Sequence, residues 1–116
     1  MSKFDEAIVL YKESMQKIGV AQMDENLLTA VAKGLGPSIY LGDASLVSCS
    51  DKEERDRVKN NFLIKKLGIP DGPELDKAIE EVCHQMGSSN RSKHRAIFYY
   101  LLVEKFGKQS FYAPKA

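Results

Sequence analysis

The sequence predicts an all-α fold, a compact single-domain bundle of about five helices with a buried C-terminal helix. Three observations predict it. Apolar residues recur at spacings of three and four along most of the chain, the signature of one-sided helices. A lysine, an apolar residue and a glycine close three of these segments, as Lys17-Ile18-Gly19, Lys66-Leu67-Gly68 and Lys105-Phe106-Gly107. Glycine suits the left-handed cap position, and lysine in the last turn complements the helix dipole. The third observation is the run Ala96–Val103, apolar on every side, as befits a helix enclosed by others.

The first helix is expected from about Lys3 to Ile18, with Ser2 as cap and Asp5 at the capping-box position. Phe4, Ile8, Tyr11, Met15 and Ile18 form its apolar stripe. A shorter helix follows from Asp24 to about Lys33, with Leu27, Leu28, Val31 and Leu35 inward, stopped by Gly34, Gly36 and Pro37. Ser38–Ser48 is broken by Gly42 and Asp43 and suits one or two short helical turns, a short hairpin strand being the alternative.

Ser50 with Glu53 three residues on makes a second capping box, opening a helix through Leu67 that buries Val58, Phe62, Leu63 and Leu67. Asp71-Gly72-Pro73 marks a turn with proline at the first helical position. The fourth helix carries Leu75, Ile79, Val82, Cys83 and Met86 and stops at Gly87. The last is expected from about Asn90 to Phe106. A single domain over 1–108 and a short tail over 109–116 result, and Phe111 and Tyr112 of the tail are candidates to fold back onto the bundle.

Bulk properties narrow the function. The chain has 116 residues, 43% hydrophobic and 28% charged, enough for one domain to bury a core without metal or disulfide. Its net charge of +1 argues against coating nucleic acid or an anionic membrane by overall charge. The run Ala96–Val103 is too short to cross a bilayer. Met1–Glu6 carries two acids and no apolar run, unlike a signal peptide. Cys49 and Cys83 form no CxxC pair, so the expectation is a cytoplasmic protein with reduced thiols.

The most suggestive stretch is Ser88–Arg95. A helix start presents free amides, and Ser89, Asn90 and Ser92 would add donors beside Arg91, Lys93 and Arg95, as an anion such as phosphate requires. Cations in a first turn also oppose the dipole preference, and a broken local rule can mark function. The ordinary reading is internal pairing. Asp71–Glu81 holds five acids and one lysine, Gly87–Lys108 five lysines or arginines and one glutamate. An antiparallel pair would set Glu80 and Glu81 near Arg91 and Arg95.

Other constellations are weaker. Cys49, Cys83, His84 and His94 match no metal-ligand spacing, and neither a metal nor a cofactor is expected. Cys83 lies on an apolar stripe and reads as a small core residue. A Cys49 nucleophile with His94 as base is conceivable, but nothing in the sequence brings them together. Gly34-Leu35-Gly36-Pro37 lacks the strand and the lysine-serine of a phosphate loop, so helix termination explains it. Glu53-Glu54 and Glu80-Glu81 read as solvated pairs. Phe98, Tyr99 and Tyr100 could stack on bases, but inside an apolar run they read as core. No catalytic constellation stands out.

Lys33-Gly-Leu-Gly-Pro-Ser-Ile-Tyr40, Val58-Lys-Asn-Asn-Phe-Leu-Ile-Lys-Lys-Leu-Gly68 and Asn90 through Gly107, with its Arg95-Ala-Ile-Phe-Tyr-Tyr-Leu-Leu102 core, resemble a group of short bacterial proteins. That group is classed only as a domain of unknown function. The resemblance spans Phe4 to about Lys108. It implies a compact multihelical fold and a bacterial cytoplasmic origin, and supplies no activity, cofactor or catalytic residue.

The functional expectation is a non-enzymatic binding or interaction protein, with an anionic ligand held by Asn90, Arg91, Lys93, His94 and Arg95. Lys59, Lys65 or Lys66 would assist if their helix lies alongside. One competing class is a small enzyme acting on a phosphorylated or carboxylated metabolite, with His94 as acid or base. Another is a weak nucleic-acid binder, the less expected partner class. Self-association or a protein partner could use Val9, Tyr40 or the Phe111-Tyr112 tail, and no membrane partner is expected.

Overall fold

The computed structural model describes residues 3–20, 23–87, 90 and 93–112. Five helices account for most of them. They are α1 (Lys3–Lys17), α2 (Glu25–Leu35), α3 (Lys52–Arg57, continuing without a break as a π-helix over Val58–Lys66), α4 (Pro73–Met86) and α5 (Arg95–Lys105). The fold is all-α, and no strand occurs among the described residues.

Local chemistry sets most boundaries. Asp24 caps α2, its carboxylate accepting from the Leu27 amide at 3.1 Å. Gly36 ends α2 with φ of 65°, a left-handed value that favours glycine. Two 3₁₀ turns, Gly36–Tyr40 and Gly42–Ser45, fill the segment for which short helical turns were predicted. Pro73 opens α4, and the Gly87 amide closes it on the His84 carbonyl at 3.0 Å.

Two starts differ from expectation. The cap of α3 is Asp51, whose side chain accepts from the Glu53 amide at 2.9 Å, rather than Ser50. The chain is still turning there, with the Asp51 amide donating to the Ser48 carbonyl at 3.3 Å, so Lys52 is the first residue free to be helical. Helix α5 starts at Arg95 rather than near Asn90. An isolated antiparallel bridge pairs Leu46 with His94, and the Val47 amide donates to the Lys93 carbonyl at 2.8 Å. Those bonds hold Lys93 and His94 extended, so the expected run of free helical amides begins later. Ser2, Ser89, Arg91 and Ser92, to which the sequence assigned capping or donor roles, lie outside the described residues.

The core is built around α5. Ile97, Phe98, Tyr100, Leu102 and Val103 are fully buried, with Ala96 and Leu101 nearly so. Helices α1, α2 and α4 pack on it and bring Tyr11 and Met15, Leu28 and Val31, and Leu75, Ile79 and Val82. Each such large apolar side chain contributes about 2 kcal/mol by leaving water. In the π-helix Val58, Phe62 and Leu63 are buried, as the spacing predicted, and Leu67 follows. Its wider turn is visible where the Leu67 amide donates to the Phe62 carbonyl, five residues back, at 2.9 Å. Phe62 then stacks on Tyr99 with ring centroids 3.8 Å apart.

Beyond α5, Gln109–Phe111 makes one 3₁₀ turn. Tyr112 packs half-buried on the core with Lys66 above its ring, while Phe111 stays 49% exposed. Among the described residues no helix is long and apolar enough to cross a membrane.

Candidate functional site

A cavity of about 680 Å³ opens where the segment leading into α3 meets α4 and the approach to α5. That is the volume of a small-molecule site. Residues 46–50 form one wall, Glu54 and Arg55 of α3 a second, Glu80, Cys83 and His84 of α4 a third, and Asn90 and Lys93 the fourth. Helical geometry explains the α4 contribution, since positions 80, 83 and 84 fall on one face.

The cations of this cavity are unusual in their pairing. Among the described residues Lys93 is the buried charged one, 7% exposed, and its ammonium donates to the Asn90 carbonyl. Arg55 Nε is buried with no hydrogen-bond partner among the described residues. Neither side chain has an ion pair among those residues. Buried cations are normally paired, because the loss of hydration is otherwise uncompensated.

Glu54 lines the same cavity but is already engaged. Its Oε1 lies 3.0 Å from Arg95 Nη2 and its Oε2 3.2 Å from Arg57 Nη2. Two guanidiniums from outside the lining therefore share one carboxylate. Glu80, the other acid of the lining, is exposed and forms no ion pair among the described residues. With Glu54 neutralised by its two arginines, the Arg55 and Lys93 donors remain without ion pairs among the described residues, the chemistry that receives a carboxylate or a phosphate.

The disulfide Cys49–Cys83 also lines the cavity, its Cα atoms 5.9 Å apart. This corrects the expectation of reduced thiols and of Cys83 as a plain core residue. The two cysteines are 34 residues apart in sequence. Only the fold brings the turn before α3 against α4, at a separation that a disulfide spans. Among the described residues no cysteine is free and no group of potential metal ligands converges.

The five residues singled out from sequence separate. Asn90 and Lys93 line the cavity, Arg91 lies outside the described residues, and His94 and Arg95 turn elsewhere. His94 packs against Tyr11, ring centroids 5.3 Å apart, and burial there lowers its pKa below the usual 6.5. Burial would also weaken the Arg95 cation, but hydrogen bonds to Tyr99 and Glu54 outweigh it and raise its pKa. Arg95 additionally donates to the Leu46 carbonyl at 3.0 Å and the Tyr99 hydroxyl at 3.1 Å. It clamps α3, the bridge segment and α5 together.

Internal pairing thus accounts for Arg95, through Glu54 of α3. Glu54 had read as solvated beside Glu53; the two are 14% and 87% exposed. Glu81 pairs with Lys105 at 3.1 Å. Of the expected helpers, Lys59 pairs with Asp76 at 3.4 Å beside a second cavity of about 500 Å³, which Arg55 also lines. Lys66 sits by Tyr112 and Lys65 is exposed. Val9 and Tyr40, named for self-association, are 42% and 46% exposed.

Arg55 and the cysteine pair are what sequence reasoning missed. Arg55 sits in the charged run Lys52–Arg57, where nothing one-dimensional separates an inward arginine from its solvated neighbours.

The model of a family described as a protein of unknown function, DUF2853, matches residues 10–110, so the chain belongs to that family. No curated protein matches the chain.

Proposed function

We propose that this DUF2853 member is a non-enzymatic binding protein whose cavity before α5 takes a small anionic ligand, a phosphate or carboxylate compound. One observation carries the reading: Arg55, whose Nε lacks a hydrogen-bond partner among the described residues, and the buried Lys93 ammonium line one cavity, and neither forms an ion pair among those residues. An anion between them supplies the missing acceptor, and Asn90 adds a polar contact. The reading keeps Asn90 and Lys93 from the sequence-derived cluster and adds Arg55. His94 and Arg95 act behind the site, by holding the bridge segment in place. His94 is absent from the described lining, so the alternative of an acid–base enzyme built on it gains no support. The cytoplasmic setting stays part of the proposal, with the Cys49–Cys83 disulfide replacing the reduced thiols from which the sequence suggested it.

The test is an amide NMR titration of the intact protein at physiological salt with inorganic phosphate, a nucleotide mixture and a short single-stranded oligonucleotide in turn. Saturable shifts at residues 46–55 and 90–93 with phosphate or nucleotides are expected. Arg55→Gln should weaken the binding about tenfold, the worth of one charged hydrogen bond. No shift at those amides with any probe overturns the reading. Shifts confined to the oligonucleotide and lost steeply with salt replace it with nucleic-acid binding.

A further inference from the structure

We propose that the Cys49–Cys83 disulfide is a reversible redox pair that exchanges with a small carboxylate-bearing thiol entering the cavity. The inference rests on the anionic-ligand reading, of which it names one ligand class. Three observations support it. The bridge lines the cavity rather than the sealed interior, and both cysteines are only half-buried. A thiol that fills the cavity therefore reaches the sulfurs.

Cations line the same space. Exchange needs an attacking thiolate and a departing thiolate, and nearby positive charge stabilises both. Arg55 and Lys93, lacking ion pairs among the described residues, supply that charge. The same two groups attract the carboxylates of an anionic thiol and disfavour a cationic one.

The segment carrying Cys49 is also anchored without the bridge. The Val47 amide donates to the Lys93 carbonyl at 2.8 Å, and Arg95 donates to the Leu46 carbonyl at 3.0 Å. Val47 itself is buried in the core. Opening the disulfide thus releases the turn at 48–50 from α4 while the fold persists.

The chemistry balances. A thiolate attacks one sulfur of the bridge; the S–S bond breaks and the other cysteine leaves as a thiolate, giving a mixed disulfide. A second thiolate attacks the small-molecule sulfur of that mixed disulfide and releases the remaining cysteine. Two small thiols become one small disulfide, their two electrons reduce the bridge, and their two protons end on Cys49 and Cys83.

The experiment follows reduction of the folded, oxidised protein by glutathione, which is anionic, and by cysteamine, which is cationic, with rates expressed per thiolate. Acid quenching, alkylation and intact mass count the thiols and reveal mixed disulfides. Glutathione is expected to react at least about fivefold faster than cysteamine, in line with electrostatic steering in a charged cavity. Arg55→Gln should erase most of that preference, and the bridge should re-form with glutathione disulfide. A bridge that opens only under denaturing conditions, or equal rates for the two thiols, overturns the proposal. Phosphate titration of the same oxidised sample separates the two readings. Saturable shifts without any charge preference in exchange discard the redox pair and leave the anion site standing. Absence of both discards both.

Discussion

Arg95 Nη2 lies 3.0 Å from Glu54 Oε1 and, at the same distance, donates to the Leu46 carbonyl. One guanidinium thus joins α5 to α3 and to the extended segment that walls the cavity. The pair is largely shielded, its side chains 16% and 14% exposed, so breaking it should cost more than a surface ion pair. We expect Glu54→Gln and Arg95→Gln each to destabilise by about 2 kcal/mol, between the worth of an exposed pair and the loss when a fully buried pair loses one partner. The double variant should be less destabilised than the two losses combined. Urea denaturation of the four proteins checks this, and strict additivity would remove the coupling.

Lys93→Met should separate stability from binding. The buried ammonium loses its hydration and lacks an ion pair among the described residues, so an apolar side chain of similar length suits the site. Replacing a buried charge in this way is often neutral or stabilising, and we expect a gain of about 1 kcal/mol. Phosphate binding at the cavity should fall at the same time. Destabilisation with unchanged phosphate shifts would show that Lys93 serves the fold alone.

Tyr100 tests the link between the central helix and a cap. Its ring is fully buried and its hydroxyl accepts from the Asp24 amide at 2.8 Å, where Asp24 caps α2. Tyr100→Phe keeps the ring and strands that amide, at an expected cost of about 1.5 kcal/mol. Asp24→Ala should cost about 1 kcal/mol through the lost cap. Thermal melts of both, with helix content by circular dichroism, distinguish a local cap defect from loss of the core.

Much of this architecture is written locally, and so could be read from the chain. The stripe Ile8, Tyr11 and Met15, the stop at Gly36 and the start at Pro73 each depend on neighbours within one or two helical turns. The enclosed α5 follows from composition, since a run with no polar face has nowhere else to go. The misread features depend on distant partners. Helix α5 starts late because Val47 and Leu46 bond Lys93 and His94 across a long stretch of chain. Glu54 differs from Glu53 only in which acid faces Arg95. Cys49 and Cys83 meet through packing, and Arg55 turns inward from a run that looks wholly solvated. Only Asn90 and Lys93 of the site were visible beforehand, as cation and amide in a serine-rich stretch.

His94 should give the protein an acid-sensitive stability. Burial against Tyr11 lowers its folded pKa below 6.5, so the unfolded chain binds its proton first as pH falls. By linkage, its contribution is complete above about pH 6.5 and is lost progressively as pH drops from there toward the lowered folded value. Glu104 works in the opposite sense. Burial raises its folded pKa above 4.5, so its contribution is present at low pH and lost as pH rises through that raised value. Comparing the protein with His94→Gln cancels Glu104, because the substitution leaves Tyr100 and Asp24, its neighbours, in place. Urea midpoints between pH 5 and pH 8 should fall on acidification more steeply for the histidine protein than for the variant. Parallel curves would mean that His94 titrates alike in the folded and unfolded chains, and that its packing on Tyr11 leaves the imidazole hydrated.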